Sequence, residues 1–331
     1  MKPLVVSTDS IHPDAVARIQ SVADFTVASV SDGLSDAHLR SDVIVVRNPL
    51  PARLFDAATR LKAVIRHGAG LDMIPMDAAS GAGVVVANVP AVNANAVAEY
   101  AVGQVVNLSR RLSLMDATLR RGSWGPARAM ADRGNELRGK TVAIVGVGAI
   151  GRRVASICAQ GFQMRILGVH HSARQDPAGQ IDYVPLRQAL EQADFLVLSC
   201  PLTPDTEKLI GAAELALMKP SAFLINVARG KVVDNDALVD ALARHRIAGA
   251  ALDVFDPSPL PPGNRYADLE NTCITPHVAG MTQESMRALS MSVASQIQDI
   301  LSGGYPEHWV NTSARDAIEA RWPSHYGRHG Q

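Results

Sequence analysis

The chain has 331 residues, of which 47% are hydrophobic and 19% are charged, and its 32 Lys and Arg residues balance its 32 Asp and Glu residues. This neutral composition is typical of a globular protein and gives no sign of a nucleic-acid or membrane-surface partner. A single hydrophobic core is unusual at this length, so about two domains are expected.

Targeting and redox signals favour a cytoplasmic protein. The N-terminus has only a short apolar run, too short for a signal peptide. No uninterrupted apolar segment approaches the roughly 20 residues that a membrane span needs. The three cysteines, Cys158, Cys200 and Cys273, are far apart in the sequence, which is typical of reduced thiols rather than of a disulfide framework.

Short β-rich runs alternate with helical patterns along most of the chain, as in parallel sheets covered by helices. The strands predicted in the first part are 3–7, 25–28, 43–46, 63–66 and 84–87. An amphipathic helix is predicted from 97 to about 121. The later predicted elements are strands at 141–145, 164–169, 195–199, 222–227, 248–254 and 272–275, and a helix at about 285–302.

Two such series joined by a long helix predict an α/β protein with two doubly wound domains and a cleft between them. Periodicity alone leaves open which domain contains the last helix. The tail from residue 312 has no clear pattern. We expect it either to be poorly ordered or to dock on a partner subunit.

The segment TVAIVGVGAIGRRVASI contains a strand that runs directly into Gly146-x-Gly148-x-x-Gly151 and then into a helix. This order is the dinucleotide-binding fingerprint. Gly146 permits a tight turn, Gly148 lets the backbone approach the pyrophosphate, and Gly151 allows close helix–strand contact. The helix N-terminus would present N–H groups and a positive dipole end to the phosphates. An ordinary glycine turn is the alternative.

The residues that follow the next strand bear on the choice between NAD and NADP. The strand at 164–169 ends in His170-His171-Ser172-Ala173-Arg174, and no carboxylate occurs before Asp176. An acid near this position usually binds the ribose 2′-hydroxyl of NAD. We expect Ser172 or Arg174 to hold a 2′-phosphate, which slightly favours NADP(H) over NAD(H). Use of NAD without the usual acid is the alternative.

Three further segments, NVARGKVVD, ALDVFDPSPLPP and ITPHVAGMTQES, place polar side chains directly after predicted strands. Open α/β folds bind ligands at the carboxyl ends of their strands. Arg229 could clamp a substrate carboxylate with two hydrogen bonds, and His277 could exchange a proton near neutral pH. A surface ion pair for Arg229 and a structural role for His277 are the alternatives.

In these motifs the chain resembles the D-isomer-specific 2-hydroxyacid dehydrogenases, which include phosphoglycerate, glyoxylate/hydroxypyruvate, D-lactate and formate dehydrogenases. The resemblance runs from about residue 40 to 311. It implies a Rossmann NAD(P)-binding domain at residues 99–282, inserted in a flavodoxin-like substrate domain formed by residues 1–98 and 283–331. It also implies a homodimer built on the nucleotide domains. The segments that carry it are GVGAIGRRVA, PLTPDTEKLIG, MKPSAFLINVARGKVVDNDAL, AGAALDVFDPSPLP and TPHVAGMTQES, with RHGAGLDMI and VANVPAVNANAVAEYAVG in the first half.

The resemblance also implies roles for individual residues. Arg229 would bind the substrate carboxylate and polarise the carbonyl, His277 would donate or accept the proton, and Asp253 would orient the nicotinamide carboxamide. The amides around Ala69 and Gly70 would hold the substrate carboxylate. Arg66 would face a second anionic group. Cofactor contacts are implied at Gly146, Gly148, Ala149, Ile150, Gly151, His170, Ser172, Arg174, Pro201, Thr206, Val227, Ala228 and Gly280. No metal ligand is expected.

Two positions depart from the family pattern. A glutamate 29 residues after the arginine hydrogen-bonds the histidine in the family, and Ser258 stands there instead. Because a carboxylate beside an imidazole raises the pKa of the imidazole, its loss is expected to move ketone reduction to lower pH. Ser258 or Asp256 could take over its contact with the ring. The second departure, Ser199 in place of a frequent histidine, is expected to be minor.

The sequence therefore predicts an oxidoreductase that transfers a hydride between NAD(P) and C2 of a 2-hydroxy or 2-keto acid. Because Ser258 removes a negative charge, one hypothesis is a substrate with a second acidic group, met by Arg66; the other, equally open here, is a plain small hydroxy acid. Oxidation of formate or phosphite is a more distant one. An NAD(P)H-sensing binding protein of corepressor type is the alternative from a different class, and the joint presence of Arg229, His277 and Asp253 argues against it.

Overall fold

The computed structural model describes residues 2–31, 33–170, 175–176 and 178–326. The chain divides into two compact units, the first formed by Met1–Asn93 and Thr282–Gln331 and the second by Ala94–Met281. The breaks therefore follow residues 93 and 281, rather than 98 and 282 as the sequence suggested. The first break falls there because the helix Ala94–Arg110 packs as a whole in the core of the second unit.

The regular elements of both units are numbered in chain order. The strands are β1 (Leu4–Ser7), β2 (Asp24–Val27), β3 (Val43–Val46), β4 (Ala63–Arg66), β5 (Val85–Ala87), β6 (Thr141–Val145), β7 (Arg165–Val169), β8 (Asp182–Tyr183), β9 (Phe195–Leu198), β10 (Phe223–Asn226), β11 (Gly249–Leu252) and β12 (Thr272–Ile274). The helices are α1 (Pro13–Gln20), α2 (Asp36–Arg40), α3 (Arg53–Ala57), α4 (Met76–Gly81), α5 (Ala94–Arg110), α6 (Leu112–Arg120), α7 (Trp124–Ala129), α8 (Ala149–Phe162), α9 (Leu186–Gln192), α10 (Ala212–Leu217), α11 (Asn235–Ala243), α12 (Gln283–Leu301), α13 (Arg315–Arg321) and α14 (Pro323–Tyr326).

The first unit is built on a parallel sheet with the strand order β2-β1-β3-β4-β5, which is the flavodoxin-like order. Successive residues of a strand point to opposite faces of a sheet. Val5 accordingly joins the apolar cluster that includes residues of α1 and α12, whereas Val6 joins the cluster on the other face with residues of α3 and α4. Both faces are covered, which explains why the central strand β3 is apolar at every position.

The second unit is built on a parallel sheet with the order β12-β11-β10-β9-β6-β7-β8. Counted from β6, this is the doubly wound Rossmann order with one further strand, and the order reverses between β6 and β9. The predicted α/β class with two doubly wound domains is confirmed. Ligands of such sheets bind outside the carboxyl ends of the strands at the point of reversal.

The helix predicted from 97 to about 121 is in fact two helices, α5 and α6. The helix is interrupted at Arg111, which adopts a left-handed conformation with φ 55°. The side-chain oxygen of Asn107 accepts hydrogen bonds from both the N–H and the hydroxyl of Ser113, each at 2.9 Å. Arginine carries no turn signal, so the apolar periodicity did not reveal this break.

The tail from residue 312 packs on its own unit as far as residue 326, so the expectation of poor order is wrong for these residues, and docking on a partner subunit stays a prediction. Ile318 and Tyr326 are buried in the core of the first unit. The Arg321 guanidinium donates hydrogen bonds to main-chain carbonyls, including that of Ala58 at 3.0 Å. Among the described residues, no helix is both long and apolar enough to cross a membrane.

Candidate active site

The glycine loop follows β6 at the point where the strand order reverses. Gly146 has φ 91°, and a Cβ added there would lie 2.5 Å from Cα of Cys200, the residue that follows Ser199 after β9. A Cβ at Gly151 would lie 2.5 Å from the Gly146 carbonyl oxygen. At Gly148, by contrast, no other described residue apart from its chain neighbours has an atom within 4 Å of the added carbon. Two of the glycines are thus required by the protein's own packing, and the third leaves space beside the backbone.

The loop fits a dinucleotide pyrophosphate. α8 begins at Ala149 with Gly148 as its N-cap, and glycine has no side chain that could cap the helix. Its first intrahelical bond runs from the Arg152 N–H to the Gly148 carbonyl at 3.0 Å. The amides of Ala149, Ile150 and Gly151 therefore precede the helical ladder and can donate to phosphate oxygens.

Ser199 supports this loop. Its hydroxyl donates to the Gly146 carbonyl at 2.8 Å, so the serine that stands in place of the family's frequent histidine holds the glycine turn. In the same region, the Thr206 hydroxyl donates to the Pro201 carbonyl at 2.7 Å. The loop after β9 thereby brings Thr206 and Pro201 together beside the glycine turn.

Asp176, the first carboxylate after β7, is hydrogen-bonded within its own loop. Asp176 accepts hydrogen bonds from the N–H groups of Gln180 at 2.7 Å, Ile181 at 3.0 Å and Ala178 at 3.3 Å. These bonds, that of Gln180 foremost, lower the pKa of Asp176. His170 lies directly after β7, whereas Ser172 and Arg174 lie outside the described residues, so their contacts with a 2′-phosphate stay predictions.

Asn226 shapes the loop that presents Arg229. The buried Asn226 side chain accepts from the Ala228 N–H and donates to the Arg229 carbonyl, both at 3.0 Å. One guanidinium nitrogen of Arg229 donates to the Ala228 carbonyl at 2.7 Å. Sequence reasoning placed Val227, Ala228 and Arg229 here but missed Asn226. The sequence feature that could have identified Asn226 is an amide side chain at the end of an otherwise apolar strand.

The proline-rich loop after β11 crosses directly over Gly230. A Cβ at Gly230 would lie 2.1 Å from the Phe255 carbonyl carbon and 2.6 Å from the Asp256 nitrogen. Only glycine permits this approach, because real Cβ atoms essentially never come so close to backbone. The crossing brings the segment that contains Asp256 and Ser258 next to the loop of Arg229.

Asp253 binds the loop that carries His277. The residue is 1% exposed. One carboxylate oxygen accepts from the Thr275 hydroxyl at 2.6 Å and from the Val278 N–H at 2.8 Å, and the other accepts from the Ala279 N–H at 2.8 Å. The chain is therefore fixed on both sides of His277, just before Gly280. The second oxygen retains capacity for one more donor, which leaves room for the predicted contact with a carboxamide.

Ser258 and His277 line the same cavity, of about 320 Å³, together with apolar side chains that include Phe255, Leu260 and Ile274. Both Ser258 and His277 are exposed. Asp256 does not appear among the described residues that line the cavity. Ser258 therefore shares a cavity with the imidazole, and the cavity is large enough to admit water.

In the first unit, the loop after β4 contains the other predicted substrate contacts. Arg66 donates from one guanidinium nitrogen to the carbonyls of Val46 at 3.0 Å and His67 at 2.8 Å. Its guanidinium also lies 3.5 Å from the position of a Cβ on Gly68. Arg66 therefore braces its own loop, a task that the sequence did not indicate.

Ala69 and Gly70 follow in the same loop. The Ala69 carbonyl accepts from the Asn88 side chain at 2.8 Å, and the Gly68 carbonyl accepts from the Val89 N–H at 2.9 Å. In the described part of the chain, the amides of Ala69 and Gly70 donate to no protein acceptor. The loop is thus held through its carbonyls, and its amides suit an anionic ligand.

Comparisons with known proteins decide the family. The family model described as "D-isomer specific 2-hydroxyacid dehydrogenase, NAD binding domain" matches residues 102–279. The chain is 37% identical over 284 residues to the glyoxylate reductase of Korarchaeum cryptofilum, an alignment that covers 85% of this chain and 84% of that protein. The chain belongs to the D-isomer specific 2-hydroxyacid dehydrogenase family.

Two further relatives agree. The D-3-phosphoglycerate dehydrogenase of Methanocaldococcus jannaschii is 35% identical over 314 residues, which cover 93% of this chain but only 59% of that longer protein. The crystal structure of an NADPH-dependent glyoxylate/hydroxypyruvate reductase from Sinorhizobium meliloti, in complex with NADP and malonate, matches with a TM-score of 0.82 at 30% identity, covering 94% of this chain and 97% of that one. These relatives confirm the predicted NAD(P)-dependent 2-hydroxyacid dehydrogenase, and none of them favours a corepressor. Within the described residues, no cluster of three or more His, Cys, Asp or Glu side chains could hold a metal ion.

Gly146→Ala and Gly148→Ala should have opposite consequences. The first adds a methyl group against the Cys200 backbone at a positive φ, so we expect a loss of stability of at least about 2 kcal/mol. The second adds a methyl group that contacts none of the described residues beyond its chain neighbours, so the variant should fold normally but bind NAD(P)H at least about tenfold more weakly. Urea unfolding and nucleotide fluorescence titration measure the two effects. Unimpaired cofactor binding by Gly148→Ala would refute the assignment of the loop.

His67, next to Arg66, should make the stability depend on pH. It is 5% exposed and bonded to the Ser290 hydroxyl at 2.8 Å. Burial, together with the positive charges of Arg47 and Arg66, lowers its pKa to about 4. Between pH 4 and the ordinary value near 6.5, the unfolded chain binds more protons, so stability should fall as the pH falls through this window, by on the order of 3 kcal/mol.

His67→Gln should remove most of this dependence, because glutamine does not titrate. Urea unfolding at pH 7 and at about pH 4 measures it. His245→Asn, at an exposed histidine of the second unit with φ 51°, is the matched control and should keep the pH dependence of the parent. If His67→Gln and the parent lost the same unfolding free energy between pH 7 and about pH 4, the prediction would be contradicted.

Proposed function

We propose that the chain interconverts a 2-keto acid and the corresponding 2-hydroxy acid at the carboxyl edge of the β6–β12 sheet, with Arg229 and His277 as the catalytic residues. The observation that carries the proposal is the buried Asp253 carboxylate, which fixes the His277 loop, while the crossing at Gly230 sets the Arg229 loop beside the segment that follows Asp253. We further propose that the second unit is the nucleotide-binding domain and the first the substrate domain. The match of the family model to residues 102–279 supports this assignment.

The two side chains have complementary chemistry. The Arg229 guanidinium can bind a substrate carboxylate with two parallel hydrogen bonds and draw electron density from the adjacent carbonyl. Protonated His277 donates its proton to the carbonyl oxygen during reduction, and the neutral ring accepts the hydroxyl proton during oxidation. NAD(P)H, when bound, supplies the hydride. In the first unit, the amides of Ala69 and Gly70 are donors of the kind that bind a carboxylate.

For the cofactor we propose NADP(H). No carboxylate occurs between β7 and Asp176, and Asp176 is engaged by three amides of its own loop. Asp176 is the first carboxylate after β7, and its hydrogen bonds hold it in its own loop, so it is not directed at a 2′-phosphate. Arg174 adds a positive charge to the same segment. The Sinorhizobium meliloti relative, whose structure contains NADP, supports the same choice.

For the substrate we propose a small 2-keto acid, as the names of the glyoxylate reductases and of the glyoxylate/hydroxypyruvate reductase among the relatives suggest. A second anionic group is a further proposal. It is supported by the replacement of a carboxylate by Ser258 beside His277 and by the phosphoglycerate dehydrogenase among the relatives. The engagement of Arg66 by its own loop weakens the specific role proposed for that residue.

A homodimer formed through the second unit is proposed as well. α6 contains no buried residue, and its Leu112 and Leu119 are 48% and 45% exposed. Trp124, at the start of α7, is 69% exposed. Exposed apolar side chains concentrated in one segment are typical of an interface. A cytoplasmic location remains the expectation from the cysteines, which are free in the structure.

The proposed reaction can be measured by the oxidation of NADPH and NADH at 340 nm with glyoxylate, hydroxypyruvate, phosphohydroxypyruvate and sulfopyruvate. At least one of these should be reduced, faster with NADPH. His277→Gln should lower kcat by about 10²- to 10⁴-fold, the range typical of a lost general acid, and leave NADPH binding intact. Arg229→Gln should raise KM for the keto acid and also lower kcat, because the guanidinium both binds the carboxylate and polarises the carbonyl. A chain that binds NADPH and reduces none of the four acids would point to a sensor instead.

Ser258→Glu should extend keto-acid reduction to higher pH by about 1 unit or more, because a carboxylate beside the imidazole stabilises its protonated form. The measurement is the pH profile of kcat for reduction. Ser258→Ala is the matched control and should keep the alkaline limit of the parent. Asp256→Asn should also retain activity, since Asp256 does not line the cavity of His277. An unchanged profile in Ser258→Glu would refute this tuning.

A further inference from the structure

Tyr100 lies on α5, far in sequence from the candidate catalytic residues. Its side chain is half-buried, and its hydroxyl lies 2.5 Å from the Thr275 hydroxyl. Thr275 directly follows β12 and stands two residues before His277. The Tyr100 hydroxyl is therefore bonded to the base of the loop that carries the histidine.

The direction of this hydrogen bond follows from the number of protons. The Thr275 hydroxyl has a single proton, which it donates to the Asp253 carboxylate at 2.6 Å. The Tyr100 hydroxyl must then be the donor to Thr275. The bonds thus run from Tyr100 through Thr275 to Asp253, whose two oxygens also accept the N–H groups of Val278 and Ala279.

Thr275 is joined to His277 through the main chain as well, since its carbonyl accepts the His277 N–H at 3.0 Å. His277 itself has φ 58°, a left-handed conformation that non-glycine residues adopt rarely. Such a conformation persists only where the surroundings hold it. The bonds of Thr275 and Asp253 flank His277 on both sides and supply that restraint.

The phenol is suited to remain a donor. Burial, and to a smaller extent the negative charge of Asp253, raises the pKa of Tyr100 to about 12. Tyr100 therefore keeps its proton throughout the pH range in which His277 could work. A buried carboxylate such as Asp253 needs several donors to offset its loss of hydration, and Thr275, polarised by Tyr100, is one of them.

We propose that Tyr100 and Thr275 are positioning residues for the reaction: they hold the Asp253 carboxylate in the orientation that fixes the main chain on either side of His277. The inference rests on the proposed role of His277 in proton transfer. Small misplacements of a catalytic group reduce rate strongly, so the pair should affect kcat more than cofactor binding.

Three substitutions test the pair. Tyr100→Phe and Thr275→Val should each lower kcat for keto-acid reduction by about tenfold, with less than a twofold change in KM for NADPH. Hydrogen exchange of the Val278 and Ala279 amides should become faster in both variants, while exchange in β11 stays unchanged. Thr275→Ser keeps the hydroxyl and should restore both readouts. The double variant should be no worse than Thr275→Val alone, because both changes break the same chain of hydrogen bonds.

Tyr266→Phe is the matched control, since it removes another phenol hydrogen bond of 2.5 Å, to Asn235, elsewhere in the second unit. It should leave kcat and the exchange of Val278 and Ala279 unchanged. Full activity and unchanged exchange in Tyr100→Phe would overturn the proposal, as would equal losses in Thr275→Ser and Thr275→Val. If the parent reduces no keto acid, the proposed function fails, and the exchange of Val278 and Ala279 alone still decides whether Tyr100 and Thr275 hold this loop.

Discussion

The loops that follow β10 and β12 in the second unit depend on one buried charge. Asp253 lies at the end of β11 with almost no exposure to solvent, and a carboxylate in that position destabilises the fold unless donors surround it. The donors come from the chain after β12, on both sides of His277. The Asp253 N–H in turn donates to the Asn226 carbonyl, and the Asn226 side chain binds the Arg229 carbonyl. Satisfying this carboxylate therefore fixes the loops of both proposed catalytic residues through one connected set of hydrogen bonds.

Much of the fold and the centre of the site could be predicted from the sequence, because they depend on local patterns. Buried parallel strands appear as apolar runs, and the glycine loop, Arg229, Asp253 and His277 occur in recognisable segments. The residues that orient them could not be predicted in this way. The bond between Tyr100 and Thr275 joins positions 175 residues apart, and no periodicity records such a pairing. The interruption of the helix at Arg111 and the packing of the tail were not predicted for a related reason. Both are determined by side-chain contacts rather than by residue propensities.

Within the candidate site, packing requires one residue type at some positions and tolerates several at others. Gly230 is required because the backbone of Phe255 and Asp256 occupies the space of its side chain. Ser258, a short distance further along the same loop, faces an open cavity and is exposed. A residue at this position can therefore change its charge without displacing the loop. In this chain the position holds a hydroxyl, which adds no charge to the cavity that His277 lines.

The first unit is formed by two separate segments of the chain, and this has a consequence for synthesis on the ribosome. One face of its sheet is covered by Leu289, Val293, Ile297 and Ile318, which are made only after the whole of the second unit. The second unit is continuous in sequence and can fold as soon as it emerges. Until then this face of the first unit's sheet is covered only in part, by residues of α1 such as Ile19, for on the order of ten seconds or more at usual elongation rates. We expect this nascent segment, rather than the finished protein, to be the species that engages chaperones.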